Sequence, residues 1–298
     1  MDMGWAESFI AVDWGTTNRR AYRIGAGGKV EDKLEDGKGI LSVPAGGFPA
    51  AVDEIRARLG DRPLLMAGMV GSNRGWEEAP YVPCPAGLPE LAANLKWVEP
   101  DRVAIVPGVC FSQGDAADVM RGEEVQLLGA YAEGKIPANA TVCHPGTHNK
   151  WVRIEDGRIA AFRTVMTGEM FSLLSKHSIL SDMLGGEVSP GAAFDAGVKA
   201  GLAGGPLTGE LFSVRARVLL GKARREDAAS YTSGLLIGTD VRSGLAAAPP
   251  EGPVCVMGRP DLTRLYAAAL AAAGREAKEL EGDEAFLCGA RHLAELVQ

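Results

Sequence analysis

Residues 8–24 constrain this chain more than any other stretch. Phe9, Ile10, Ala11 and Val12 form an apolar run of β-formers that ends in an acid, Asp13, and then turns through Trp14, Gly15, Thr16, Thr17 and Asn18. A second β-forming run, Arg19 to Ile24, follows with no linker. A buried strand ending in a carboxylate can hold a hydrated metal ion there, while the backbone N–H groups and hydroxyls of the turn face a phosphate. The same residues also suit an ordinary hairpin, in which the acid and glycine serve turn geometry. The local sequence leaves both readings open.

The pattern recurs. Thr141, Val142 and Cys143 are β-formers, the chain breaks at Pro145, Gly146 and Thr147, and a strand resumes through Lys150, Trp151 and Val152, with Ile159 to Val165 as its partner. Two strand–turn–strand units with Gly-Thr turns, one near the start of each half, predict two related domains closing around a phosphate. The 298 residues agree, at ~100–200 per domain. His144 and His148 are four apart, but Pro145 and Gly146 rule out the helix that would bring them to one face, so no zinc pair is expected.

Between these units, Lys29 to Glu35 reads as a third strand, and Phe48, Val52, Ile55 and Leu59 carry helical spacing over 46–59. Leu64 to Val70 reads as a short strand buried on both faces. Residues 71–87 hold too much Gly and Pro for a regular element, and include Asn73, Arg74 and Trp76. A loop of this kind at a buried strand end suits substrate binding; the plainer alternative is a rigid connection in which Trp76 and Tyr81 pack locally. Val103 to Val106 reads as a strand and Asp115 to Ala132 as a helix containing Glu123 and Glu124 after Gly122. From Gly168 onward helices dominate, over 169–176, 190–202, 209–220 and 226–245, the last closed by Pro249 and Pro250. Val254 to Gly258 reads as a strand, Leu262 to Ala273 as a helix of small residues, Lys278 to Leu280 as a short strand and Glu284 to Leu296 as a final helix.

Composition removes several classes of function. A net charge of −7 offers no basic field for nucleic acid or an anionic membrane. The five cysteines are scattered with no Cys-x-x-Cys pair, which predicts free thiols in a reducing compartment. Acids at Asp2 and Glu7, with no basic region before an apolar core, do not read as a signal peptide. No apolar run reaches the ~20 residues of a membrane span. A cytoplasmic location follows by elimination. A P-loop, a dinucleotide fingerprint, a G-x-S-x-G elbow and the protein-kinase motif set are all missing.

The segments Asp13 to Arg20, Gly68 to Trp76, Arg121 to Glu124, His144 to Trp151 and Thr167 to Phe171, in this order along the chain, resemble the 2-dehydro-3-deoxygalactonokinase family. The opening Asp-x-Gly-Thr-Thr is shared more widely, with actin-like sugar kinases and Hsp70-type ATPases. The resemblance implies an α/β fold of the two-lobed, actin-like (ribonuclease-H-like) kind, with mixed sheets and an interlobe cleft. The lobes would be 1–138, with the first phosphate turn and sugar-acid site, and 139–298, with the second phosphate turn and adenosine site, the final helix able to pack back on the first lobe. It implies transfer of the γ-phosphoryl group of ATP, with Mg2+, to the 6-hydroxyl of 2-dehydro-3-deoxy-D-galactonate in galactonate breakdown.

In that reading Asp13 orients magnesium, Gly15, Thr16 and Thr17 hold one side of the phosphate chain, and Gly146 and Thr147 hold the other, with Lys150 beside them. Gly258 marks the adenosine motif, although Met257 stands where many members have glycine. Arg20 and Arg74 are candidates for the substrate carboxylate, since a planar fork matches it. Asn18, Asn73 and Trp76 complete the sugar-acid site, while Arg19 points the other way along the strand. Glu123 is the chosen base, with Glu124 and Asp115 behind it. A kinase of another sugar or sugar acid, a non-catalytic sugar sensor and a helical scaffold remain alternatives, and a homodimer is left open.

Overall fold

A computed structural model of the chain describes Trp5, residues 7–249 and residues 252–297; Asp2 and Pro250 lie outside the described residues. The chain divides into two units, Met1–Ala138 with Glu155–Ala161 and Asp283–Gln298, and Asn139–Ile154 with Phe162–Gly282.

The first unit is built on β1 (Phe9–Trp14), β2 (Arg19–Ile24), β3 (Val30–Asp36), α1 (Phe48–Leu59) and β4 (Leu64–Gly68), followed by β5 (Tyr81–Pro83), α2 (Leu88–Ala93), β6 (Lys96–Glu99) and β7 (Val103–Ile105). Its six-stranded sheet runs β3-β2-β1-β4-β7-β6. β1 lies antiparallel to β2 and parallel to β4, so it is central, and every residue of it but Asp13 is buried. That explains a continuous apolar run where a half-exposed strand would alternate. α1 covers the sheet with Val52, Ile55 and Leu59, which join Ile10, Val12, Leu64 and Met66 in one core. Truncating such a side chain to Ala costs about 2–5 kcal/mol.

Three expectations are corrected here. The helix read over 115–132 begins only at Glu123, as α3 (Glu123–Ala132). Residues 108–120 instead form the hairpin of β8 (Gly108–Gln113) and β9 (Ala116–Met120). Gly114, at φ 57°, supplies the left-handed turn that a tight hairpin needs, and the helical spacing from Val119 onward ran across two elements. Asp115 therefore sits exposed at a hairpin turn. In the loop read as irregular, Tyr81–Pro83 pairs parallel with β8. Finally, β4 stops at Gly68, because Gly68 takes φ 93° and Met69–Gly71 form a 3-10 turn.

The second unit contains β10 (Ala140–His144), β11 (Asn149–Glu155), β12 (Arg158–Val165), α4 (Thr167–His177), α5 (Ala192–Ala203), α6 (Leu207–Leu219), α7 (Ala228–Ala247), β13 (Val254–Gly258), α8 (Pro260–Ala272) and β14 (Ala277–Glu281). Its sheet runs β12-β11-β10-β13-β14, with β10 antiparallel to β11 and parallel to β13. The local order around β10 thus repeats that around β1. Helices α5 and α7 touch through their backbones: a Cβ on Gly197 would lie 2.1 Å from Tyr231 O, and one on Gly234 would lie 2.2 Å from Phe194 O. This contact fixes α7 against its neighbour. Among the described residues no helix is long and apolar enough to cross a membrane.

Candidate active site

The first turn is held from below. Gly15 N–H donates to Asn18 O at 2.9 Å, and the N–H groups of Gly39 and Ile40 donate to Thr17 O and Gly15 O. A Cβ on Gly39 would fall 2.4 Å from Thr16 O, so only glycine lets this segment support the turn. Thr16, Thr17 and Asn18 remain exposed.

Asp13 stands opposite Arg20 across the β1–β2 pair, and Arg20 Nη2 donates to Asp13 Oδ2 at 2.6 Å. The other arm of the Arg20 fork contacts Asp283 in the C-terminal helix (Gly282–Leu296). Burial pushes the Asp13 carboxyl above the ordinary carboxylate range; Arg20 pulls it down, and the negative charges of Asp283 and Glu123 push it up. One cation therefore sits among three acids, an arrangement that a further cation would relieve. Arg19 faces away, fully buried, with Nη2 donating to Asp36 at 2.7 Å.

The space above Asp13 is kept by glycine. A Cβ on Gly68 would lie 2.9 Å from Trp14 O and 3.5 Å from Asp13 Oδ1, and one on Gly122 would lie 3.2 Å from Gly68 Cα. Both take positive φ, 93° and 109°, which L side chains resist. Gly122 opens α3, and the two acids after it separate. Glu124 is fully buried and folds back so that Gly122 N–H donates to both its carboxylate oxygens, at 2.7 and 2.8 Å. Burial, then the charge of Glu123, pushes Glu124 up to about 8. Glu123 is half-buried and close enough to Asp13 to act on its charge.

The loop after β4 is compact. Ser72 Oγ donates to Met69 O at 2.7 Å, and Trp76 N–H donates to Val70 O at 2.8 Å. Asn73 and Arg74 are exposed at its turn. The Trp76 ring stacks on Phe48, 6.2 Å between centroids and 5° from parallel, so one of its faces is spent on packing. Arg121, just before α3, donates Nη2 to Ala79 O at 2.7 Å and lies over the Tyr81 ring at 4.4 Å. It ties the far end of the loop to the helix carrying Glu123.

In the second unit the turn between β10 and β11 rests on the start of α4. A Cβ on Gly168 would fall 2.4 Å from Gly146 O, and Glu169 N–H donates to Thr147 O at 2.9 Å. His148 pairs with Glu169 at 2.6 Å on the surface. Gly258 passes the other side, where a Cβ would lie 3.4 Å from Pro145 O. A cavity of about 290 Å³ adjoins the turn. Gly146, Thr147 and Gly168 border it, Phe171, Val188, Leu236 and Leu262 give it apolar walls, and Arg259 adds a cation. Lys150 is buried, and its Nζ donates to His148 O at 3.1 Å, so it stiffens the turn from within. A larger cavity, about 500 Å³, lies among α5, α6 and α7 and borders neither turn.

Two acids escaped sequence reasoning. Asp283 carried no local signal. Asp240 did, as one charge within the apolar stretch 234–241, and it proves to be a buried hydrogen-bond acceptor on α7.

The sequence matches the family model described as 2-keto-3-deoxy-galactonokinase over residues 13–293. It is 37% identical over 291 residues to 2-dehydro-3-deoxygalactonokinase of Escherichia coli (strain K12), spanning 97% of this chain and 98% of that protein. A crystal structure from Sinorhizobium meliloti, of a protein assigned the same name, superimposes with TM-score 0.90 at 36% identity over 96% of this chain and 98% of the other. Component A of (R)-2-hydroxyglutaryl-CoA dehydratase from Acidaminococcus fermentans shares the fold, with TM-score 0.54 at 12% identity over 98% and 100% of the two chains. The α/β class with mixed sheets stands, and by sequence and structure together the chain belongs to the 2-keto-3-deoxy-galactonokinase family.

Proposed function

We propose that this protein phosphorylates the 6-hydroxyl of 2-dehydro-3-deoxy-D-galactonate with ATP, releasing ADP, on an actin-like two-lobed scaffold. Beyond family membership, the observation that carries this reading is the cavity of the second unit. Its apolar walls suit a flat base, and the Gly146–Thr147 turn at its border suits phosphate oxygens. Gly258 is then a close-approach point beside that turn. The first turn supplies Gly15 and the exposed Thr16 and Thr17 for the phosphate being transferred.

Among the described residues no three His, Cys, Asp or Glu side chains form a metal cage. A single carboxylate suits magnesium, which keeps several waters and takes other ligands from substrate phosphates. Asp13 fits, since its surroundings carry an excess of negative charge. Magnesium bound there would neutralise charge on the phosphates.

Phosphoryl transfer otherwise needs positioning and a proton acceptor. Glu123 takes the base role, because Glu124 is spent on capping its own helix. Arg20 is committed to Asp13 and Asp283, which leaves Arg74, with Asn73 and Asn18, for the sugar acid. Trp76 supports the loop from one face and offers the other. The reading predicts a protein working among soluble metabolites in the cytoplasm.

A coupled assay of ADP release against a panel of 2-keto-3-deoxy sugar acids tests it, with phosphorus NMR to locate the ester. Release with 2-dehydro-3-deoxy-D-galactonate and an ester on C6 is expected. Release only with another sugar acid would reassign the substrate. Tight sugar-acid binding by calorimetry without ADP release would make the protein a sensor.

A further inference from the structure

Asp240 lies on α7, in a stretch of otherwise apolar or small residues, and is 2% exposed. Four donors converge on its carboxylate. Asn149 Nδ2 donates to Oδ2 at 2.8 Å, Trp151 Nε1 to Oδ1 at 2.7 Å, Tyr266 OH to Oδ2 at 2.6 Å, and Thr167 Oγ1 also to Oδ2. Three of these donors meet Oδ2 and one meets Oδ1, so both oxygens are engaged. Core packing alone does not call for such a group, since apolar residues of similar volume usually do as well.

The donors come from three elements. Asn149 and Trp151 start β11 directly after the turn, Thr167 opens α4, and Tyr266 is on α8. Thr167 and Tyr266 also border the cavity beside the turn. From Thr167 the contact is short: the next residue, Gly168, lies against Gly146, and Glu169 N–H holds Thr147 O. The carboxylate is in turn fixed in space, because α7 is seated on α5 through Gly197 and Gly234.

We propose that Asp240 is a positioning residue for the nucleotide: through Thr167 and Tyr266 it sets the Gly146–Thr147 turn and the adjoining wall of the cavity. This rests on the reading that ATP occupies that cavity. Asp240→Asn keeps the shape and removes the charge. A charge-assisted hydrogen bond is worth about 1.5–3 kcal/mol, so KM for ATP should rise at least ~10-fold, with KM for the sugar acid within about twofold. Thr167→Val leaves the carboxylate in place and cuts its link to α4, and should reproduce most of that rise. Trp151→Phe removes a donor that does not border the cavity, and should lower Tm without moving KM for ATP.

Steady-state kinetics of the full chain, thermal unfolding, and direct titration with a fluorescent ATP analogue make the test. A Tm loss in Asp240→Asn with unchanged KM for ATP overturns the proposal, as does an equal KM rise in Trp151→Phe. Should Asp240→Asn fail to fold, Thr167→Val and Tyr266→Phe decide by the same criterion. Failure of the nucleotide reading would differ, because the wild-type protein would not bind the analogue.

Discussion

Residues 13–20 of the first unit align without a gap on residues 144–151 of the second: Gly15 on Gly146, Thr16 on Thr147, Asn18 on Asn149 and Arg20 on Trp151. Each segment joins an antiparallel pair whose first strand also pairs in parallel with a later strand. Each has a carboxylate nearby, and the two are used differently. Asp13 is the strand-end residue itself, its side chain 17% exposed, paired with Arg20 and crowded by Asp283 and Glu123. Asp240 comes from α7, is sealed from water, and holds three donors on Oδ2 and one on Oδ1. An acid with unbalanced negative neighbours can take up a cation or a proton; an acid with four donors can only hold things still. On the proposed function, two turns of the same pattern would serve chemistry in one unit and grip in the other.

The comparison is most exposed at Glu123. A positioned base contributes ~10²–10⁴-fold, so Glu123→Gln should lower kcat within that range while Glu124→Gln, already buried in its cap, does far less. Equal losses in both would return the pair to a structural role. Next comes Asp13: Asp13→Asn should lower kcat at least ~10²-fold, about 2.7 kcal/mol, with Tm nearly kept because Arg20 retains Asp283. Near-normal turnover at saturating MgATP would remove the chemical half of the contrast.

A smaller effect is expected at Arg74. Arg74→Lys keeps the charge and loses the fork, so KM for the sugar acid should rise by roughly tenfold, about one charge-assisted hydrogen bond, with KM for ATP steady. A rise in KM for ATP instead would move this loop to the nucleotide side.

The last effect is on stability rather than turnover. Glu124 titrates near 8 when folded and at about 4.5 in its ordinary state. Between those values the folded chain keeps a proton that the unfolded chain has lost, so stability falls as pH rises through this window, by at most ~1.4 kcal/mol per pH unit. In Glu124→Gln that slope should vanish in denaturant titrations at pH 5 to 8. A slope unchanged from wild type would mean that another group carries it.

The strands at both turns, the face of α1 and most second-unit helices were legible because their signals are local. Phe48, Val52, Ile55 and Leu59 share one face by spacing alone, and β1 announced its central place by having no polar alternation. Residues 116–120 read as helix because Val119 and the apolar residues of α3 fall near one helical period. The pairing of β9 with β8 across the turn at Gly114, and of β8 with the distant β5, places them in a sheet instead. The choice between Glu123 and Glu124 was equally closed to sequence: they are neighbours of one type, and which one turns inward depends on where Gly122 meets Gly68. Sequence by itself determined most of the elements, the two Gly-Thr turns and the family, since these rest on residues adjacent in the chain. Tertiary structure decided which charges are spent. Arg20 is taken by Asp13 and Asp283, and Asp240 gathers donors from Asn149, Trp151, Thr167 and Tyr266. A charge is satisfied by whatever the fold brings within about 3 Å, and no spacing along the chain records those neighbours.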